Sequence, residues 1–266
     1  MSELVRVDVT GAVASVTLDR PGQRNALSVP MLHRLNDAFG DLAVEPDVRV
    51  VVIAGAGPDF CAGADFAELA QARSGGPEAA LDFDRPFRDA LAAIADHPVP
   101  VIARVQGRAL GGGCQLVLAC DLAVAEETAT FGIPSARLGI VIPLDSVERL
   151  VLAAGPRRAA EMLYTGLQIS GADALAWGLV TRTAGPDGLD RAVDALAGQI
   201  VAAAPLSVRA SKRGIRSVVE HLSLGHAAPA RAADFEMMAA EALASRDLAE
   251  GIAAFRERRA PEFRGE

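Results

Sequence analysis

The chain has a single lysine, Lys212, and no GxxxxGKS or GxxxxGKT run, so no lysine can reach the phosphates of a nucleotide cradled in a P-loop. The dinucleotide pattern fails as well, because Gly55-Ala56-Gly57 is followed by Phe60 where the third glycine of GxGxxG belongs. Cysteine is scarce. Cys61, Cys114 and Cys120 sit in apolar surroundings and cannot all pair, which argues against a disulfide framework and suits a reducing compartment. There is no CxxC or HxxxH spacing, and His33, His97, His221 and His226 are scattered, so no metal is assigned. Although 51% of residues are hydrophobic, no uninterrupted apolar run approaches the roughly 20 residues needed to cross a bilayer. The first residues, Met1 to Val7, lack the basic start and apolar stretch of a signal peptide; a soluble, cytoplasmic protein is expected. A net charge of −8 offers no general basic surface. Nucleic acid is therefore not an expected partner, and an anionic ligand has to find a local group of arginines.

What is present organises into repeated units. At 266 residues the chain can bury one large core or form a main domain with a smaller appendage. Val5 to Val9 and Val13 to Leu18 alternate apolar and polar around Thr10-Gly11-Ala12, which predicts a hairpin. Ser28 caps a helix predicted from Val29 to about Val44, with Leu32, Leu35, Phe39 and Leu42 inward and Pro46 beyond its end. Arg49 to Ala54 is a β-branched run expected to be buried on both faces, followed by a glycine loop and a short helix from Asp65. The order then recurs: strand Pro100 to Val105, loop Gly107 to Gly111, helix Gly112 to Cys120, strand Leu122 to Ala125. Pro156 opens a helix through Leu163, and Ser170 with Asp173 forms a capping box for a helix that Gly178 stops after Trp177. From Pro205 onward the pattern is helical, with apolar stripes that need a partner.

Both glycine loops end in small residues, Cys61-Ala62-Gly63-Ala64-Asp65 and Leu110-Gly111-Gly112-Gly113-Cys114. Small side chains let a ligand reach backbone amides, and a helix starting at Gly112 adds its positive dipole end. An oxygen gaining negative charge would be stabilised there. Tight loop packing is the other reading of either loop alone; the pairing of the two favours an anion pocket.

Over these and further motifs the chain resembles the enoyl-CoA hydratase/isomerase, or crotonase, family. The resemblance runs through Arg24-Asn25-Ala26-Leu27-Ser28, Val51 to Gly57, Phe60 to Asp65, Pro100 to Ala103, Gln106-Gly107, Ala109 to Cys114 and Ala119-Cys120-Asp121. It continues through Thr165-Gly166, Ile169-Ser170, Gly178-Leu179-Val180 and the tail Gly251 to Phe255 with Arg258-Arg259 and Phe263. It implies an α/β fold: a crotonase-type spiral of repeated ββα units over 1–204, and a C-terminal helical trimerisation region over 205–266. It further implies a homotrimer or homohexamer. The implied ligand is an acyl-CoA thioester, with coenzyme A arriving as part of it and no separate cofactor. The thioester oxygen would bond the amides of Ala64 and Gly112. Pantetheine and adenine would run past Asn25, Ala26, Leu27, Ala62 and Asp65, and Arg258 of the partner subunit matches a phosphate-binding position. Arg24 would add charge locally; for Arg24 and Arg258 a solvated surface role stands equally open.

The resemblance breaks at the two glutamates with which such proteins activate water and protonate the α-carbon. Gln115 and Ser135 occupy those positions, and neither takes a proton near neutral pH. Some members carry an acidic group on the next loop, at the position of Pro143 here, which makes Asp145 two residues on a candidate. Asp145 also reads as a cap of the helix leading to Leu150, with Glu148 paired to a surface arginine. Cys114 is either a thiolate activated by the helix start or a core cysteine. Three roles follow: an enzyme working through an enolate, including a decarboxylase that needs no base; a non-catalytic acyl-CoA carrier or sensor; and an inactive subunit of a mixed assembly. Phe66, Leu69, Phe83, Phe87, Leu144 and Trp177 either line an acyl pocket or pack the core.

Overall fold

The computed structural model describes residues 4–74, 77–185, 187–223, 240, 244–259 and 261–262, with residues 70, 72–74, 77–83 and 220–223 by backbone alone. Strands β1 (Val5–Thr10) and β2 (Val13–Leu18) form the expected antiparallel hairpin. β2 then pairs in parallel with β3 (Val50–Gly55), which is followed across the sheet by β4 (Val101–Val105), β6 (Leu122–Glu126) and β9 (Arg182–Ala184), every one of these pairs parallel. Side chains alternate across each strand, so both faces need cover. Val51, Ile53, Val101, Ala103 and Val105 enter the main core, whereas Val50, Val52, Ile102 and Val124 meet helix α8 (Leu189–Ala202) through Leu189, Val193 and Leu196. That two-sided burial explains the unbroken β-branched run of β3.

A second, smaller layer stacks in the same order. β5 (Arg108–Leu110) pairs in parallel with β7 (Thr130–Gly132), and β7 with the antiparallel β8 (Gln168–Ser170). Two isolated parallel bridges extend this layer backwards, Cys61 to Ala109 and Leu27 to Ala64. The chain thus winds: β2 leads to Leu27, β3 to residues 61–64, β4 to β5 and β6 to β7, each passing from the large sheet to the small one. The segment from Gly107 to Gly111, expected to be a loop, is therefore mostly strand, because three residues suffice for one rung of this winding.

Helix α1 (Val29–Ala43) starts at Ser28, whose Oγ accepts the Met31 N–H at 3.4 Å, and buries the four expected residues. Glu68 Oε2 takes the Val29 N–H at 2.6 Å, placing a carboxylate at the positive end of α1. Glu68 itself stands on α2 (Phe66–Ser74). Helix α3 (Pro77–Ala95) lies against α1 and continues through Pro86. After α4 (Gly112–Ala119) come α5 (Leu144–Ala154), α6 (Pro156–Thr165) and α7 (Gly171–Trp177), the last with the Ser170–Asp173 capping box formed. A 3₁₀ turn, Ser135–Leu138, precedes α5.

Helices α9 (Pro205–Ser223) and α10 (Arg246–Glu257) are the C-terminal helices within the described residues; His226 and Phe263 lie outside them. Leu248 and Ile252 of α10 pack on Leu69, beside Phe66 and Ile140. The lone lysine fastens α9. Its buried Nζ donates to the Val99 carbonyl at 3.0 Å and to Asp121 Oδ2 at 2.7 Å, and the same Asp121 oxygen accepts the Val101 N–H. His97 is buried beside this pair, edge-on to Phe39. Burial, and after it the Lys212 and Arg209 charges, pull the imidazole down to about 4 against an opposing bond to the Val99 carbonyl.

Lys212→Met is expected to lower the unfolding free energy by about 2–3 kcal/mol in urea titration, since it strands a half-shielded carboxylate and a carbonyl. The histidine adds a pH dependence. The unfolded imidazole protonates near 6.5, whereas the folded one stays neutral to about 4. Below pH 6.5 the unfolded state therefore binds more protons, and stability present above that value is lost as pH falls toward 4. Denaturation midpoints at pH 7 and pH 5 should differ less in His97→Gln than in the parent.

Candidate functional site

The site begins with a turn that the backbone would not adopt unaided. Arg24 and Asn25 both have positive φ, 51° and 56°, a conformation that asparagine tolerates better than most residues. The fully buried Asn25 side chain secures it. Oδ1 accepts the Arg20 N–H at 2.9 Å, while Nδ2 reaches the carbonyls of Ala56, Asp59 and Phe60 at 2.9, 2.8 and 3.1 Å. Asn25 thus contributes to the site by holding two loops together, and its amide has nothing left to offer a ligand. Arg20, which the sequence pattern does not single out, donates from NH1 to the Ala26 carbonyl at 3.1 Å and to Asp65 Oδ2 at 2.6 Å. Asp65 Oδ1 caps α2 by accepting the Ala67 and Glu68 amides. Burial alone would raise the Asp65 carboxyl; Arg20 and those amides together hold it below the usual carboxylate range.

With this turn fixed, Leu27 bridges to both sides of Ala64: its N–H donates to Gly63 O at 2.8 Å and its carbonyl accepts from Asp65 N at 2.9 Å. A parallel bridge of this kind turns the intervening Ala64 N–H to the other side. That N–H has no hydrogen-bond partner among the described residues. Gly112 supplies a similar group. It is the first residue of α4, whose first helical bond to Gly111 O comes from Gln115 N at 3.1 Å, so its own N–H has no carbonyl in the helix to reach.

Contact between successive turns of the winding makes these two amides neighbours. A Cβ on Gly63, at φ 104°, would lie 3.5 Å from Gly112 N. One on Gly113 would lie 2.3 Å from Cys61 O and 2.8 Å from Cys61 Cβ. The start of α4 therefore sits directly on the 61–64 segment. Leu27 and Phe87 form apolar walls, their side chains 3.0 and 3.4 Å from where a Gly112 Cβ would stand. Two free amides, a helix N-terminus and apolar walls together favour an oxygen atom on which negative charge develops.

The remaining expected residues are placed as follows. Gln115 is buried on α4, and its Oε1 has no partner among the described residues. Ser135 is half-buried at the start of the 3₁₀ turn. Asp145 does not cap α5: Pro143 is the N-cap, and Asp145 Oδ2 pairs with Arg149 at 2.9 Å, so the neighbouring arginine expected for Glu148 bonds Asp145 instead. Burial, and then the Asp145 charge, push the Glu148 carboxyl up. Cys114 is a core cysteine. Burial raises its thiol to about 12, which removes the activated thiolate reading. Ala26 and Ala62 are half-buried, and Ala62 N donates to Arg24 O at 3.0 Å. Arg24 is exposed at 3.9 Å from the buried Asp59 carboxylate, to which Arg108 also bonds, and Arg258 is exposed at the end of α10. Phe66 stacks on Phe255 at 4.5 Å, Leu69 packs under α10, and Leu144 opens α5 half-buried. Trp177 lies under Arg158 on α7, and the Phe83 side chain lies outside the described residues.

Gly113→Ala should cost about 1–3 kcal/mol, because the added methyl meets backbone that cannot yield. Gly40→Ala, exposed on α1 with nothing within 4 Å of its Cβ, should gain about 0.5–1 kcal/mol. Opposite shifts of the melting temperature in these two glycine-to-alanine variants check the close approach.

The enoyl-CoA hydratase/isomerase family matches the chain over residues 8–266. The carnitinyl-CoA dehydratase of Proteus mirabilis (strain HI4320) is 35% identical over 266 residues, covering all of both chains. A probable enoyl-CoA hydratase of Mycobacterium leprae is 34% identical over 262 residues, 98% of each. A solved methylmalonyl-CoA decarboxylase, in complex with 2-nitronate-propionyl-CoA, superposes with a TM-score of 0.89 at 27% identity, covering all of both chains. Sequence match, stacked strand–strand–helix turns and agreement with solved structures lead to one statement: the chain belongs to the enoyl-CoA hydratase/isomerase, or crotonase, family.

Proposed function

We propose that the chain binds acyl-CoA thioesters and stabilises an enolate, with the thioester oxygen held by the N–H groups of Ala64 and Gly112. The observation that carries this reading is the pair of unpaired amides on touching segments, at the start of a helix and between apolar walls. Coenzyme A comes with the substrate and activates it as a thioester, so no further cofactor enters. Its pantetheine and adenine run past Asn25, Ala26, Leu27, Ala62 and Asp65, as in the family pattern, with Arg24 and the partner subunit's Arg258 offered to phosphate. The exposed Leu206, Ile215 and Val218 of α9 supply an apolar face for a trimer, or for trimers paired as a hexamer.

The reaction is not the ordinary two-glutamate hydration, because Gln115 and Ser135 stand at the glutamate positions. Each lost acid or base removes about 10²- to 10⁴-fold in rate. Decarboxylation is the second reading, favoured by the close superposition on a methylmalonyl-CoA decarboxylase. A β-carboxylated thioester needs no base, since departure of carbon dioxide itself leaves the enolate, and the amide pair acts on the charge that forms.

The test is incubation with crotonyl-, 3-hydroxybutyryl-, malonyl- and methylmalonyl-CoA, followed by calorimetry and by mass spectrometry of the products. Binding of the thioesters with loss of carbon dioxide from a malonyl-type substrate is expected. Efficient hydration of crotonyl-CoA that disappears in Gln115→Ala or Ser135→Ala would overturn the account, and binding without any product would make the protein a carrier or sensor.

A further inference from the structure

We propose that Asp84, on α3, is the catalytic acid that delivers a proton to the α-carbon of the enolate; this rests on the enolate reading above. The helix geometry places it. Phe87 lies against Gly112, and Asp84 precedes Phe87 by three residues, so the two share a face of α3 one turn apart. On that face the Asp84 carboxyl is mostly shielded from water and fixed by Arg88 Nε at 2.5 Å. Across from it stands α5 with Asp145, close enough for its charge to act on Asp84. Burial, opposed by Arg88 and reinforced by Asp145, pushes the Asp84 carboxyl above its ordinary value, which favours the protonated form a donor needs. Asp145 is less suited, being nearly half exposed, and Glu148 is more open to solvent than Asp84.

A second, independent feature lies on the helices that flank this carboxyl. Gln115 Oε1 on α4 and Ser146 Oγ on α5 are buried, in residues 5% and 1% exposed, and neither has a hydrogen-bond partner among the described residues. Buried polar atoms without partners are costly, about 1–3 kcal/mol each, unless a ligand or water completes them. Helix α4, which packs against both α3 and α5, and α5 itself thus carry buried polar atoms that no described residue satisfies.

The step balances without any further reagent. When carbon dioxide leaves a β-carboxylated thioester, the electron pair of the broken carbon–carbon bond enters the enolate. The Asp84 proton then forms the new Cα–H bond, the oxyanion returns to a carbonyl, and the Asp84 carboxylate regains a proton from water. Run in reverse, the same carboxylate removes an α-proton from a saturated thioester, so α-hydrogen exchange reads the group without a decarboxylation substrate.

Full-length protein is incubated with propionyl-CoA in D₂O, deuterium uptake is followed by mass spectrometry, and binding is measured by calorimetry. Asp84→Asn should slow exchange by about 10²-fold or more while the Kd for propionyl-CoA changes less than about threefold. Added formate should restore part of the rate to Asp84→Ala. Should Asp84→Asn not fold, Asp84→Ser serves in its place, and exchange at the parent rate in either folded variant overturns the proposal. A parent protein that binds propionyl-CoA but exchanges no deuterium also overturns it, leaving acyl-CoA binding intact. A parent that binds none of the thioesters refutes the functional reading itself.

Discussion

The segment from Cys61 to Ala64 is held on both sides by backbone, and the arrangement of the site depends on that double grip. On one side Leu27 bonds Gly63 and Asp65; on the other, Cys61 exchanges bonds of 2.9 and 3.0 Å with Arg108 and Leu110. Each bond occupies a backbone group that burial would otherwise penalise. What is left over is the Ala64 N–H, facing away from Leu27, and the Gly112 N–H, orphaned because a helix begins there. The pocket is the remainder of a hydrogen-bond pattern that is closed nearly everywhere around it. On the proposed reading, a donor pair fixed in this way by backbone bonds needs little reorganisation as charge develops on a bound oxygen.

Charged side chains serve this framework by fixing loops. Arg20 joins Asp65 to the Ala26 carbonyl, Asp59 takes Arg108 NH1 at 3.3 Å together with the Arg108 amide, and Lys212 ties α9 to Asp121. These pairs are at least partly buried, so their removal exposes the surviving partner to a desolvation cost larger than an exposed ion pair is worth. A net charge of −8 is thus compatible with arginines clustered around the 20–27 and 55–60 loops. The acidic excess resides elsewhere.

Most of the large sheet was legible before any coordinates. The alternation of Val13 to Leu18 and the β-branched run from Arg49 to Ala54 each carry a strand signal of sufficient length, and Ser28 and Ser170 mark helix starts by the chemistry of their side chains. The second layer was not legible, for a physical reason. Its rungs are three residues or a single bridge, as at Arg108–Leu110 and at Leu27 with Ala64, and their partners are set by the stacking of distant turns rather than by local pattern. Helix α3 was hidden by Pro86, which reads as a break because it removes a helical donor. With α3 unread, Asp84 is one of several charges between Leu81 and Asp89, and nothing in the spacing distinguishes the one that lies a helical turn from Phe87. Glycine placement draws attention to the 61–65 and 110–114 loops, whereas the full commitment of Asn25 to four backbone groups required the folded turn.

The substitution of both glutamates bears differently on the two halves of an enolate reaction. Forming the enolate from a saturated or hydroxylated thioester calls for a base, and Gln115 is none. Forming it by loss of carbon dioxide calls only for a place to put the charge. An oxyanion donor is worth about 2.7–4 kcal/mol, so two amides can supply roughly 5–8 kcal/mol of barrier lowering if their effects add. A general acid of the usual effectiveness, 10²- to 10⁴-fold, contributes about 3–5 kcal/mol more at the protonation step. A site with the amide pair and one shielded carboxyl therefore retains most of what a decarboxylation needs while losing most of what hydration needs. If the proposed decarboxylation holds, Gln115 as a neutral amide adds no like charge to repel a carboxylated substrate, whereas a glutamate would. On the proposed reading, the residue that disqualifies the pocket for hydration is the one that admits an acyl group carrying a carboxylate.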